Sequence, residues 1–268
     1  MTSTNRLAGR VALITGGGGE IGSAIALRFA KEGAEVAIAD LDPAKSEAAA
    51  GAIVASGGRA HALTVDVADA ASAKTAIEHA IATFGKLTTL VNVAAAVTPD
   101  GTVETLSLAQ WNQAIGVNLT GAFLMCKYAV PELRRAGGGS IINIASQLGH
   151  LGVPSRSPYC TTKAALIHFT RVLAMDHAVD KIRANTISPG FILTERSSRR
   201  SGGKDKARAF AGPLHLLNRP GETEDIAAGA AYLASDDAAF VTATDLLIDG
   251  GYIAFKGKIG PDGRPALS

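Results

Sequence analysis

Cysteine is nearly absent: the 268 residues include two, Cys126 and Cys160. Two thiols cannot build a disulfide scaffold, so the expectation is a reduced, cytoplasmic protein. An excess of one charge is also missing, since 26 Lys and Arg oppose 24 Asp and Glu for a formal +2. That balance gives no reason to expect nucleic acid or a membrane surface as partner. No apolar run is long and uninterrupted enough to span a bilayer. Met1 to Arg10 lack the apolar segment of a secretory signal. Linkers, low-complexity tracts and solenoid repeats are absent too, so residues 1–268 read as one domain. His61, His79, His150, His168, His177 and His215 are scattered without zinc-site spacing, and no metal is expected in the chemistry.

Apolar residues, by contrast, make up 47% of the chain. They form strand-like segments near 11–15, 35–39, 60–65, 87–92, 140–146, 182–188 and 245–249. Alanine-rich helical patterns lie between them, near 22–32, 43–56, 69–84, 107–135, 157–179 and 223–234. Strands separated by helices of this length imply βαβ units. The strands are apolar throughout, as in a parallel sheet covered on both faces. The fold class is therefore α/β: a Rossmann-like, doubly wound parallel sheet of seven strands. Ligands in such sheets bind at the carboxyl ends of the strands.

The first strand pattern, Val11–Thr15, runs into Gly16-Gly17-Gly18-Gly19-Glu20-Ile21-Gly22 and then a helical pattern. Glycines permit a tight turn and a close approach of backbone to a pyrophosphate. The helix end adds free N–H groups and a positive dipole end. The next strand pattern ends at Asp40, where a carboxylate suits adenosine ribose hydroxyls and repels a 2′-phosphate. Leu41, not a base, follows it. The cofactor expected is NAD. Asp40 has an alternative role as a helix cap, although Asp42 before Pro43 is the better cap. Asp66 also falls at this edge of the sheet, where a helix cap is the alternative role.

Tyr159 and Lys163 stand four residues apart, which places them on one helix face. A nearby ammonium favours the phenolate and lowers the phenol's pKa from about 10. The pair is a general acid/base for an alcohol–ketone interconversion. Ser146 ends a strand pattern and can hold the substrate oxygen beside Tyr159. Cys160 is turned about 100° away on the helix and is not read as a nucleophile.

These features together resemble the short-chain dehydrogenase/reductase family over residues 7–251. The matching residues are the Thr15–Gly22 loop, Asn92-Val93-Ala94-Ala95, Asn118, Ser146, Tyr159 with Lys163, Pro189-Gly190 with Thr194, and Asp249-Gly250-Gly251. The resemblance implies that Tyr159 is the acid/base and that Lys163 tunes it and binds the nicotinamide ribose. It implies that Ser146 orients the substrate and that Asn118 holds a proton-relaying water. It implies a cofactor surface of Gly16, Gly18, Gly19, Glu20, Ile21, Asp40, Leu41, Asp66, Val67, Asn92, Ala94, Pro189, Gly190, Ile192 and Thr194, with Tyr159 and Lys163. It also implies a homotetramer built through about 223–249 and through the helices 107–135 and 157–179. Glu20 departs from the family pattern by replacing a glycine.

Residues 195–215 correspond to the segment that covers the substrate in the family. Within it, Glu195–Arg208 is rich in bases and has an adjacent Gly202-Gly203 hinge. It reads either as a solvated mobile loop or as a lid using Arg196, Arg199 or Arg200 to bind an anion. Gln147, His150 and Arg156 lie between Ser146 and Tyr159 and tilt the reading toward a polar, hydroxylated substrate such as a sugar, a sugar acid or a lactone precursor. The alternatives are an NADPH-type ketone or 3-oxoacyl reductase, which Asp40 opposes, and a non-catalytic dinucleotide-binding protein. The tail 252–268, rich in Gly and Pro, is not expected to form a helix and has little means of folding alone.

Overall fold

The structure is a computed structural model that describes residues 5–96, 99–255, 257–260 and 263–266. Seven strands form one parallel sheet: β1 (Val11–Thr15), β2 (Glu35–Asp40), β3 (Arg59–Thr64), β4 (Thr89–Asn92), β5 (Gly139–Ile144), β6 (Ile182–Pro189) and β7 (Asp245–Ile248). Their order is β3-β2-β1-β4-β5-β6-β7. The order reverses between β1 and β4, which opens a crevice at their carboxyl ends. Register places Thr15 beside both Ala39 and Asn92 at that edge.

Helices cover both faces. Helices α1 (Glu20–Lys31), α2 (Pro43–Ala55) and α9 (Thr223–Ala234) lie on one side and bury Ile25, Phe29, Ile53 and Leu233. Helices α3 (Ala70–Phe84), α5 (Ala122–Arg135) and α6 (Ser157–His177) lie on the other and bury Ile77, Met125, Leu133 and Leu173. Local chemistry sets the helix ends. Asp42 accepts from the Ala44 amide with Pro43 at the first helical position, and Asp69 accepts from the Ser72 amide. Among the described residues no helix is long and apolar enough to cross a membrane.

Three expectations need correction. The helix starting at 22 begins at Glu20, because Gly19 is the extended N-cap; Glu20 and Ile21 thus belong to its first turn. The pattern 107–135 is not one helix. It divides into α4 (Leu108–Ile115), a π-turn at Gly116–Gly121 and α5, with Asn118 in the π-turn. The basic stretch Glu195–Arg208 is not a loop but two helices, α7 (Glu195–Arg200) and α8 (Lys204–Ala211). Thr194 caps α7 in a reciprocal box with Ser197, a signal hidden by the polar composition. The tail carries a short hairpin and no helix among the described residues. This hairpin of β8 (Lys258–Ile259) and β9 (Pro265–Ala266) buries Ile259. Tail residues 256, 261–262 and 267–268 lie outside the described residues.

Candidate active site

The glycine segment forms a cradle after β1. A Cβ on Gly16, which has φ +61°, would lie 2.8 Å from the Ala94 backbone. One on Gly22 would lie 2.2 Å from the Gly16 carbonyl oxygen. Only glycine allows α1 to start this close to the loop. Gly19 caps α1 without a side-chain bond, which leaves the first-turn N–H groups for an anion. The Thr15 hydroxyl, a contact not foreseen from sequence, accepts from Val93 N–H at 3.2 Å and Ala94 N–H at 3.4 Å. It fixes the β4 loop beside the cradle.

Asp40 stands at the end of β2 facing the cradle. Its Oδ2 accepts from Gly18 N–H at 3.0 Å and its Oδ1 from Asp42 N–H at 3.1 Å. The cap of α2 is Asp42, so Asp40 is not needed there. Leu41 is exposed. Asp66 is exposed and bonds Ala68 N–H at 2.9 Å, while Asp69 caps α3, so Asp66 is not the cap either. Val67 is buried against the place where Gly121 lacks a Cβ. Asn92 donates to Asn143 at 2.8 Å, and Asn143 donates to Thr170 at 2.8 Å, tying β4 through β5 to α6. These residues suit a dinucleotide lying along the carboxyl edge: a phosphate cradle, a ribose-facing carboxylate and a pinned loop on the other side.

Past β5, Ser146 caps a single 3-10 turn, Gln147–Gly149, by accepting from Leu148 N–H at 3.1 Å. Tyr159 stands in the first turn of α6, where the Ser146 hydroxyl favours its phenolate. Lys163 lies one turn further on, with its Nζ 5.7 Å from the Tyr159 ring centroid. The Nζ donates to the Ile144 carbonyl at 2.6 Å. Asn118 joins the cluster from the π-turn: its Oδ1 accepts from Ala96 N–H at 2.7 Å and its Nδ2 donates to Thr162 at 3.2 Å. Such π-turns often mark functional sites.

Burial pushes the Lys163 ammonium down to about 8. Burial also pushes the Tyr159 phenol above its ordinary value, opposed first by the Ser146 hydrogen bond and then by the positive charge of Arg196. Lys163 is engaged with the Ile144 carbonyl and its ammonium stays beside the Tyr159 ring, while Ser146 and Arg196 also favour the phenolate.

The other candidates divide. Pro189 ends β6, and a Cβ on Gly190 would lie 2.8 Å from Asp249 Cα. Ile192 is buried and bridges to Gly221. Thr194 then starts α7. Gln147 is buried, and its Oε1 has no partner among the described residues. His150 is held away by Asp245, its Nε2 2.6 Å from Oδ2. Arg156 and Arg200 both pair with Asp100, a residue that sequence reasoning missed because Pro99-Asp100-Gly101 reads as a turn. Glu20 does not face the cradle: both its oxygens lie 2.9 Å from Glu195 N. Arg199 is exposed. Among the described residues no His, Cys, Asp and Glu cluster could hold a metal ion.

A family model described as Enoyl-(Acyl carrier protein) reductase matches residues 18–253. The chain is 43% identical to a 2,5-dichloro-2,5-cyclohexadiene-1,4-diol dehydrogenase of Sphingobium indicum, over 92% of this chain and 98% of that protein. It is 39% identical to a D-threitol dehydrogenase of Mycolicibacterium smegmatis, over 92% and 94%. A crystal structure of a short-chain type dehydrogenase/reductase from Mycobacterium marinum superposes with a TM-score of 0.86 at 32% identity, covering 93% of this chain and 98% of that one.

Proposed function

The chain belongs to the short-chain dehydrogenase/reductase family and is an oxidoreductase acting on hydroxyl groups, and from that premise we propose that it is an NAD-dependent dehydrogenase of a polar secondary alcohol. The observation that carries this reading is the Lys163 ammonium, buried and bonded to the Ile144 carbonyl, 5.7 Å from the Tyr159 ring centroid at the end of β5 beside Ser146. When bound, the nicotinamide dinucleotide accepts the hydride. The protein residues handle the proton and the geometry. Tyr159 takes the proton from the substrate hydroxyl, and Ser146 holds that oxygen in line. Lys163 keeps a positive charge beside the phenol and reaches the nicotinamide ribose. Asn118 holds a water between Lys163 and solvent.

Asp40 supports NAD over NADP, since a carboxylate repels a 2′-phosphate. Substrate polarity is supported by Gln147, whose buried, unpartnered Oε1 suits a second substrate hydroxyl. Arg196 is the lid cation that acts on Tyr159 and suits an acidic group on the substrate, as in a sugar acid. The names of the two relatives, a diol and a threitol dehydrogenase, also favour a substrate with more than one hydroxyl. The whole chain acts as one domain: residues 7–251 form the catalytic unit, 195–215 its cover and 252–268 an appended tail.

A homotetramer is part of this reading, and exposed apolar side chains support it. Met175 on α6, Val179 after it, Phe123 of α5 and Phe240 before β7 are all exposed. Monomers rarely leave such side chains uncovered in groups. A screen of polyols, sugars and sugar acids with NAD, following NADH absorbance, tests the proposal. Absence of turnover with every secondary alcohol would refute it.

A further inference from the structure

Helix α7 spans the crevice without apolar anchorage: none of its six residues is buried. Its flanks are better held. On one side Ile192 and Leu193 are buried. On the other, α8 buries Ala207 and Ala211. Gly202 and Gly203, both at positive φ, separate the two helices. α7 is thus a strap between fixed points, and its own attachments are polar.

Both attachments are carboxylates from elsewhere in the chain. At the N-terminal end, Glu195 N–H donates between the two oxygens of Glu20, each 2.9 Å away. Glu20 is the first residue of α1 and so belongs to the wall of the phosphate cradle. At the C-terminal end, Arg200 pairs with Asp100 from the loop after β4. Asp100 is fixed in place by Arg156, whose Nε is 2.9 Å away, and by the neighbouring Gly101 N–H, which bonds the Ser155 carbonyl at 3.0 Å. One attachment comes from the β1 side of the topological switch and the other from the β4 side. Each also matches the helix dipole: an anion at the first turn of α7, and an anion-bound arginine at its last.

We propose that Glu20 and Asp100 form a two-point latch that holds α7 closed across the crevice, so that the dinucleotide leaves only when both contacts break. The proposal rests on the reading above for the occupant of the crevice, and not for the latch itself. It explains why a carboxylate is tolerated at position 20, beside a phosphate site: its oxygens are turned to the strap. It also makes Glu20 and Asp100 positioning residues, since α7 carries Arg196 and follows Thr194. Both contacts are solvent-accessible, so salt weakens them.

Hydrogen–deuterium exchange on the cofactor-free protein tests the latch first. Glu20→Ala and Asp100→Ala should each speed amide exchange in residues 195–203 by about two- to fivefold, the size of effect of an exposed ion pair or helix-end charge. Arg200→Ala should reproduce Asp100→Ala without disturbing Arg156, and combining the two should add nothing. Glu20→Gln, which keeps an acceptor, should restore part of the protection. Exchange in β1, β4 and β5 should stay unchanged. Stopped-flow release of NADH should then accelerate by similar factors, and more in Glu20→Ala/Asp100→Ala. Unchanged exchange in the strap, a rise shared by the whole sheet, or unchanged NADH release despite a loosened strap would overturn the latch. A protein that bound no NADH at all would instead overturn the cofactor reading, since the exchange measurement needs none.

Discussion

Lys163 Nζ lies 5.7 Å from the Tyr159 ring centroid and donates to the Ile144 carbonyl at 2.6 Å. The ammonium is therefore held by the end of β5 and not by the phenol. This places a buried cation within reach of the Tyr159 ring while leaving the hydroxyl to Ser146 and the substrate.

Removing the phenolic oxygen should remove the chemistry and spare binding. Tyr159→Phe should lower kcat by about 100- to 10,000-fold, the range for a positioned general base. NAD affinity, measured by fluorescence titration, should change little. Turnover within tenfold of wild type would remove Tyr159 from the proton-transfer role.

The buried lysine should leave a mark on stability. Its folded-state pKa, near 8, is below the unfolded value of about 10.4. The unfolded state therefore binds more protons between these values, and stability should rise with pH across that window. Below pH 8 the charged lysine costs the folded state up to about 3 kcal/mol, at 1.36 kcal/mol per pKa unit. Relative to Lys163→Met, wild type should gain stability in urea melts from pH 8 to 10. A pH-independent difference would mean that the ammonium is better solvated than its burial implies.

Much of this was legible beforehand, for physical reasons. The parallel strands are buried on both faces, so β1 and β2 read as unbroken apolar runs, and their ends located Thr15 and Asp40. The glycine cradle and the Tyr159–Lys163 pair are local in sequence and were equally readable. What escaped depends on distant partners. Asp100 looks like a turn residue until Arg156 and Arg200 converge on it. Glu20 looks misplaced until Glu195, from the far end of the chain, supplies its donor. The π-turn at Asn118 is invisible in an apolar pattern that continues through it, and α7 has no apolar face to announce it.

Cofactor choice should follow Asp40. kcat/KM should favour NAD over NADP by at least about tenfold, or about 1.4 kcal/mol. Asp40→Ser with Leu41→Arg should move the preference toward NADP. Equal efficiency with both cofactors would show that the Asp40 carboxylate serves only Gly18 and Asp42.

Among the lid arginines, Arg196 should matter most to an acidic substrate, because Arg200 is paired with Asp100 and Arg196 acts on Tyr159. Arg196→Ala should raise KM for an anionic substrate by about tenfold, the effect of one lost charge-assisted hydrogen bond. A neutral analogue of the same shape should be affected far less. Equal effects on both would argue that the substrate carries no charge at that position.

Light scattering should give a particle four times the 27.3 kDa chain. Phe240→Asp should reduce it to a dimer, by replacing an exposed apolar side chain with a charge. A wild-type monomer would contradict the proposed assembly.

The most direct test of the account is NADH formation from a panel of secondary alcohols bearing neighbouring hydroxyls, run in parallel on wild type and Tyr159→Phe. The account predicts turnover of at least one such alcohol with NAD, and loss of that turnover in Tyr159→Phe despite retained NAD binding. Turnover that survives in Tyr159→Phe, or none with any alcohol in a wild-type protein shown to bind NAD, would contradict it.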